Sequence, residues 1–441
     1  MDVTRYSRLV RFFNSILLNK KSYSTFAVHN LNILRYHPNY LNYAEKTEIK
    51  KSRYFKKVSK KKINKADILF ISNIFDTEKK PKKQIFNDIS QYSNKNKIHF
   101  IYRNFTGKKF QYNFSNKTIL NINASLKLDI IYFFKLLLEV IKIFIKNFSF
   151  YNYFFLKSLF TIKNFKSSIS TMYEVNELIN ILKKVNPRKI FMSFEGYSWE
   201  RMLIYRIKKF NPEIKTYGYF FSIITRYQNS PFIKYGECFD FDYILTSGIP
   251  QKKKFINHKF KKEKIIIIGK EFYKESIFRK NMLNNKKCLI LPESFKEEIF
   301  FMLDFVKKCS DKKLDIEFYI KLHPSMNNKK IKEKIFNYYG SNIKIISREN
   351  VNFRYALFRG TSAIVDYIKK GSQPLYLKKK NEPDLNPLYE ISNEIKYITQ
   401  PEDFKKLLKS KKIFSKSSKL NKYCKNYFNK LNKNKLLNLL K

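Results

Sequence analysis

Acidic residues are few in this chain. Asp and Glu number 36 against 90 Lys and Arg, a formal net charge of +54. Cysteine is sparser still. Cys238, Cys288, Cys309 and Cys424 lie far apart and no CxxC occurs, which argues against a zinc site or disulfide framework and fits a reducing compartment. Glycine and proline number only 9 and 12. No RNA-binding signature, zinc-finger spacing or internal repeat is present. The N-terminus, MDVTRYSRLVRFFNSILLNKKSYS, has basic residues and a short apolar run. It lacks a long h-region and a small-residue cleavage site, so it reads poorly as a signal peptide.

What is present points to a large α/β protein. At 441 residues and 44% hydrophobic content, two domains are expected. The Lys, Asn, Ile, Phe and Tyr bias is that of an AT-rich genome, so lysine can be a default surface residue. A charge of +54 still favours polyanions. Lys greatly outnumbers Arg, the residue that forks onto bases, so a specific nucleic-acid partner is not expected. The charge reads as a solvated lysine surface loosely attracted to anionic membrane. One apolar stretch, Leu128 to Phe148, is interrupted by Lys135, Glu139, Lys142 and Lys146 on one helix face, with Glu139 spaced to pair with Lys135 and Lys142. That pattern predicts an amphipathic helix, packed on protein by preference or else lying on a membrane surface.

Short apolar runs alternate with helical patterns, which predicts parallel sheets covered on both faces. ADILFISNIF, KIHFIYRNF, RKIFMSF, EIKTYGYFF, FDYILTSG and KKEKIIIIGK read as strands of a first half. KCLILPES, EFYIKLHP, NIKIIS, YALFRG and QPLYL read as strands of a second. Ser294 and Glu297 form a capping-box pattern before one helix. Gly371 stops another. The expected fold is two Rossmann-like domains facing a cleft, spanning residues 1–270 and 271–400. A basic helical tail, residues 401–441, then packs back across both.

Three polar motifs follow strands, where open α/β sheets bind ligands. Glu195 and Gly196 end RKIFMSFEG; a carboxylate there can act as a general base, or merely cap a helix. His323 and Pro324 end DIEFYIKLHP; the imidazole can meet a phosphate or act as an acid, against the plainer reading of a structural histidine. His37–Pro38 elsewhere in the chain shows how little the dipeptide alone means. Thr361 and Ser362 stand where YALFRG turns into a helix, positions that either bind phosphate or cap. Glu293 lines the cleft or starts a helix. Asp240 and Asp242 form a DxD, which reads better as a strand entry than as a metal site.

These motifs in this order resemble bacterial sialyltransferases and polysialyltransferases of GT-B fold, which carry an acidic motif ending in Gly, an HP pair and a later Ser/Thr pair. The HP and Ser/Thr motifs are also similar to those of capsular 3-deoxy-manno-octulosonic acid transferases and of teichoic-acid polyol-phosphate polymerases. FEGYSWERMLIYRIKKFNPEIKTYGYFF with DYILTSG is similar to a family of surface-polysaccharide biosynthesis proteins. The resemblance covers roughly residues 185–380. It implies transfer from a nucleotide sugar, a CMP-sugar first, to a surface polysaccharide or lipid-linked glycan. It implies no metal and no cofactor, and a place at the cytoplasmic face of the inner membrane, held to its anionic surface. Glu195 then matches the acceptor-activating base and His323 the residue assisting leaving-group departure. Lys321, Pro324, Gly360, Thr361, Ser362 and Glu293 make up the donor-binding set. Two departures stand out: Phe194 replaces the first acid of the acidic motif, and Phe220–Phe221 replace a polar Gln–His pair. The alternatives are a polyol-phosphate transferase using a CDP-alcohol, or a non-catalytic basic protein binding membrane or nucleic acid.

Overall fold

The computed structural model describes residues 63–74, 86, 98–104, 116–120, 126–146, 162–224, 226, 230–271, 273, 285–293, 296–323, 326–340, 343–346, 351–379, 384–409 and 418–441. Ser294 and Pro324, singled out above, lie outside them, as do most of the basic N-terminus and most of residues 272–284.

Seven strands make the first sheet: β1 (Ile68–Ile74), β2 (Ile98–Asn104), β3 (Lys117–Leu120), β4 (Lys189–Ser193), β5 (Lys215–Phe220), β6 (Tyr243–Thr246) and β7 (Ile265–Ile267). Every pairing is parallel, in the order β3-β2-β1-β4-β5-β6-β7. Six more make the second: β8 (Lys287–Leu291), β9 (Glu317–Ile320), β10 (Ile343–Ile345), β11 (Tyr355–Phe358), β12 (Gln373–Leu377) and β13 (Lys396–Ile398). They too are all parallel, ordered β10-β9-β8-β11-β12-β13. The expected architecture of two Rossmann-like halves is therefore present. Each sheet grows outward from its first strand, then reverses and grows from the other side, so each has a switch point between its first and fourth strands.

The strands read as apolar runs because both faces are buried. In β4, Ile190 and Met192 enter one core and Phe191 the other. In β8, Cys288 and Ile290 face one core and Leu289 and Leu291 the opposite one. Helices α1 (Leu126–Lys146), α2 (Ile162–Val185), α3 (Ser198–Phe210) and α4 (Ile249–Asn257) belong to the first half. α5 (Lys296–Asp311), α6 (Lys329–Tyr339), α7 (Ala363–Lys369) and α8 (Pro401–Lys409) flank the second. Gly371, at φ 101°, ends α7 as expected. α1 rests on α2 through Tyr132, whose hydroxyl accepts from Asn176 at 2.7 Å and whose ring meets Tyr173 edge-on.

The tail forms α9 (Ser418–Tyr427) and α10 (Lys433–Leu440) and crosses between the halves. Leu420, Cys424, Tyr427 and Phe428 join a core of the second sheet with α7. Three backbone hydrogen bonds then bind the chain to the ends of β6 and β7. Asn429 N–H donates to the Ser247 carbonyl (2.8 Å), Lys270 N–H to Asn429 (2.8 Å) and Asn432 N–H to Ile268 (2.7 Å). Finally Leu436 and Leu440 of α10 close one face of the first sheet. The tail is thus a structural layer of the half that the sequence placed at residues 1–270.

One buried histidine makes the first half acid-sensitive. His99 of β2 is 1% exposed, and its Nε2 pairs with Thr118 Oγ1 at 2.8 Å. Its Nδ1 has no partner to accept a second proton's hydrogen bond. Burial lowers its pKa to about 4. The neutral ring's contribution is complete above the unfolded value of about 6.5 and is lost as pH falls toward 4. The full loss is about 3 kcal/mol at 1.36 kcal/mol per unit. Melting curves between pH 7 and pH 4.5 should show a steeper loss of stability for wild type than for His99→Gln. Parallel curves would remove His99 as the cause.

Candidate functional site

The candidate residues gather at the two switch points. In the first sheet β4 lies beside β1, and the chain leaves β4 through Phe194, Glu195 and Gly196. Gly196 takes φ 83°, a left-handed turn that only glycine adopts cheaply. That turn leads into α3. Glu200, 1% exposed, caps the helix: its carboxylate accepts from the amides of Glu195 (3.1 Å), Gly196 (2.8 Å) and Tyr197 (2.9 Å). Capping thus falls to Glu200. Glu195 Oε1 instead accepts a 3.0 Å hydrogen bond from Ser222 Oγ in the loop after β5. On the other side of the switch point Arg103, at the end of β2, donates to Asn73 Oδ1 at 3.0 Å. It pairs with Glu174 and lies 3.6 Å from the Trp199 ring centre.

Phe194 and Phe220, the two departures from the polar pattern, are fully buried. Both rings meet Phe255 of α4, and Phe194 also meets Phe241 at 4.8 Å. They are core residues, so an acid at position 194 would be buried among aromatic rings. Phe221 packs partly buried on the opposite core.

In the second sheet β8 pairs with β11 and with β9, so the ends of these three strands are adjacent. They carry Glu293, His323 and Gly360–Thr361–Ser362. Glu293 and Gly360 are in contact: a Cβ at position 360 would overlap the Glu293 carboxylate and push it aside. Behind them Arg359, wholly buried, forms a 2.8 Å ion pair with Glu298 in the first turn of α5. Lys321 Nζ reaches the Tyr367 hydroxyl of α7 at 3.4 Å and lies near its ring. His323 is exposed at the end of β9, and its carbonyl accepts from Met326 N–H at 2.8 Å. The surrounding chain still desolvates the ring enough to lower its pKa below the ordinary imidazole value.

The Thr361–Ser362 helix start is more modest than expected. α7 has seven residues, and Ser362 makes no side-chain cap. Thr361 Oγ1 accepts from the Ala363 amide at 3.3 Å, a local turn. Glu195 stands on the first sheet and the remaining candidates on the second, so no one sheet brings them together. The link runs through the loop after β5. Ser222 holds Glu195, Ile223 packs on a core of the second sheet, and Ile224 N–H donates to the Tyr427 hydroxyl at 2.8 Å.

The DxD does structural work. Asp240 pairs with Arg201 at 2.6 Å and accepts from the amides of Tyr235 and Gly236. Burial raises its carboxyl pKa, opposed first by Arg201. Asp242 accepts from the Thr216 amide (2.9 Å) and hydroxyl (2.8 Å) and pairs with Lys208. A cavity of about 400 Å³ adjoins them, with Lys208, Lys234, Lys261 and Lys264 in its lining. It lies where β5, β6 and β7 begin, the opposite edge from the strand ends just described.

Ser222, Arg103 and the Arg359–Glu298 pair were missed in the sequence. The one signal was the arginine in FRG, and sequence alone does not mark it as buried because buried arginine is rare.

No protein-family model matches the chain, and no curated protein matches it. Solved structures with similar backbone courses include MurG of Acinetobacter baumannii (8% identity, 85% of this chain and 99% of that one, TM-score 0.47). Others are the UDP-GlcNAc 2-epimerase of Neisseria meningitidis bound to UDP-GlcNAc (11%, 85% and 98%, 0.46) and the glycosyltransferase SnogD of Streptomyces nogalater (7%, 85% and 98%, 0.46).

Asp240→Ala leaves Arg201 buried without its carboxylate and should destabilise the protein by about 3–5 kcal/mol. Denaturation midpoints measure this. A variant that melts with wild type would contradict the structural assignment.

Proposed function

We propose that this chain is a glycosyltransferase of the GT-B kind. It moves a sugar from a nucleotide sugar, a CMP-sugar first, to a surface polysaccharide or lipid-linked glycan at the cytoplasmic face of the inner membrane. Residues 1–270 serve the acceptor and residues 271–400 the donor. The observation that carries this reading is that both switch points are furnished with the residue types the transfer needs. The first has a carboxylate that is not spent on capping. The second has a histidine after β9, a carboxylate after β8, and a glycine with two hydroxyls after β11, three adjacent strand ends.

Glu195 takes the proton of the acceptor hydroxyl as that oxygen attacks the anomeric carbon, and Ser222 orients the carboxylate. His323, neutral at physiological pH because its pKa is lowered, donates a hydrogen bond to the donor phosphate and supports departure of the nucleotide. Thr361, Ser362 and the backbone at Gly360 receive the phosphate oxygens. Glu293, against Gly360, accepts from the sugar or base. Lys321 adds positive charge from the side of α7.

Two variants test the assignment together. Glu195→Gln keeps the hydrogen bond from Ser222 but cannot accept a proton. It should lower kcat by about 10²–10⁴-fold with CMP affinity within about twofold of wild type. His323→Ala should weaken CMP binding in calorimetry. Equal CMP affinity for His323→Ala and wild type would sink the phosphate role, and full turnover by Glu195→Gln would sink the base. Product analysis that finds a phosphodiester in place of a glycosidic bond would replace sugar transfer by polyol-phosphate transfer.

A further inference from the structure

Seven of the large hydrophobic side chains exposed on the described surface belong to one helix, α1. Ile130 (49%), Phe134 (56%), Leu138 (56%), Ile141 (42%) and Ile145 (72%) are all open to solvent. They are spaced i, i+4, i+8, i+11 and i+15, within roughly 80° of one another at 100° per residue, so they form a single stripe. Ile131 and Phe133, also exposed, border it. The opposite side of the helix is the one that holds it in place, through Tyr132 against Asn176 and Tyr173. The stripe is about 25 Å long at 1.5 Å per residue. A contiguous exposed apolar stripe of this kind marks a surface that meets a partner.

Charge identifies the partner. α1 carries four lysines against two acids. Lys135 is exposed and falls along one border of the stripe, and helical spacing puts the backbone positions of Lys142 and Lys146 along the same border. A lysine border beside an apolar stripe is the pattern of a helix lying in a membrane interface, where the apolar side chains enter the acyl boundary and the ammonium groups stay with the headgroups. The whole chain carries +54, which an anionic surface attracts and a second copy of the same chain repels. Among the described residues no helix is long and apolar enough to cross a membrane, so the stripe suits lying along the surface.

We infer that α1 is an in-plane anchor that docks this protein on an anionic lipid bilayer through the stripe Ile130–Phe134–Leu138–Ile141–Ile145. This deepens the peripheral placement proposed above, and its test uses no sugar transfer. Failure of either reading therefore leaves the other standing or falling on its own measurement.

Vesicles of phosphatidylglycerol and phosphatidylcholine supply the test. Wild type should sediment with them at low salt, bind at least tenfold more weakly at 0.5 M salt, and bind neutral phosphatidylcholine weakly. Phe134→Asp/Leu138→Asp/Ile141→Asp should lower partitioning at least a hundredfold, since each buried apolar side chain is worth about tenfold or more. Its melting curve should stay near that of wild type, because the substituted side chains face solvent. Phe134→Trp gives a second readout independent of that variant's folding. The natural Trp199 is buried at 5% exposure, so brominated acyl chains should quench the introduced indole alone. Vesicle binding by the triple variant equal to wild type, or no quenching of the indole, would overturn the inference. A lipid-free dimer that the triple variant dissolves would also overturn it, and would make the stripe a contact between two copies.

Discussion

The backbone bonds of residues 429–432 to the ends of β6 and β7 are the constraint on which the candidate site depends. They fix the chain between α9, which packs on the second sheet, and α10, which packs on the first. With them the chain end is shared. Tyr427 is buried in a core of the second sheet, and its hydroxyl holds the amide of Ile224 at 2.8 Å. Ser222, two residues earlier, orients Glu195. The position of the first-sheet carboxylate therefore depends on a segment more than 200 residues away in sequence. Backbone hydrogen bonds suit that task, because they set position without depending on flexible side chains, and an unmade one in a buried setting is costly.

A second constraint is the use of charge. A chain with 36 acids and 90 bases can bury a cation only where an acid meets it. Among the described residues, three buried arginines meet acids: Arg103–Glu174, Arg201–Asp240 and Arg359–Glu298. Removing one partner of any of them would leave a buried charge uncompensated. Each pair has a position to hold. Arg103 stands beside the end of β1, Arg201 fixes α3 to the segment before β6, and Arg359 fixes the end of β11 to α5. Two of the three thus brace a switch point, where the chain turns sharply and presents polar groups.

The parallel strands were readable in the sequence because strands buried on both faces are nearly continuous apolar runs, as KIFMS and KCLIL are. The turns at Gly196 and Gly371 were readable because glycine is rare here. Two of the four short edge strands were not: KTIL of β3 and KYI of β13 are brief and carry polar or basic residues, whereas β7 lies in the apolar run IIII and β10 in IKII. The residues beyond the strand ends were legible as positions but not as contacts. FEGYSWE places Glu195 and Glu200 both within reach of the helix start, and only the structure gives the cap to Glu200. CFDFDY read as a strand entry rather than a metal pair, and its partners Arg201 and Lys208, more than 30 residues earlier, were not legible. Ser222 had no signal, since its importance comes from Glu195 across neighbouring strands. The amphipathic helix was legible as periodicity, and its exposure was not, because the same stripe would serve for packing on protein.

The proposed transfer asks different things of His323 and Glu195. Desolvation lowers the pKa of His323, so the ring of the free protein is neutral at physiological pH and repels no cation nearby. A phosphate placed beside it reverses that balance, because a negative charge within a few ångströms favours the imidazolium. The ring should therefore gain proton affinity as the donor binds and lose it as the nucleotide leaves. Glu195 faces the opposite demand in that proposal, to take a proton from the acceptor, and Ser222 Oγ orients its carboxylate through a 3.0 Å hydrogen bond. The two groups are thus furnished for different tasks, the imidazole by desolvation and the carboxylate by a hydrogen bond that orients it.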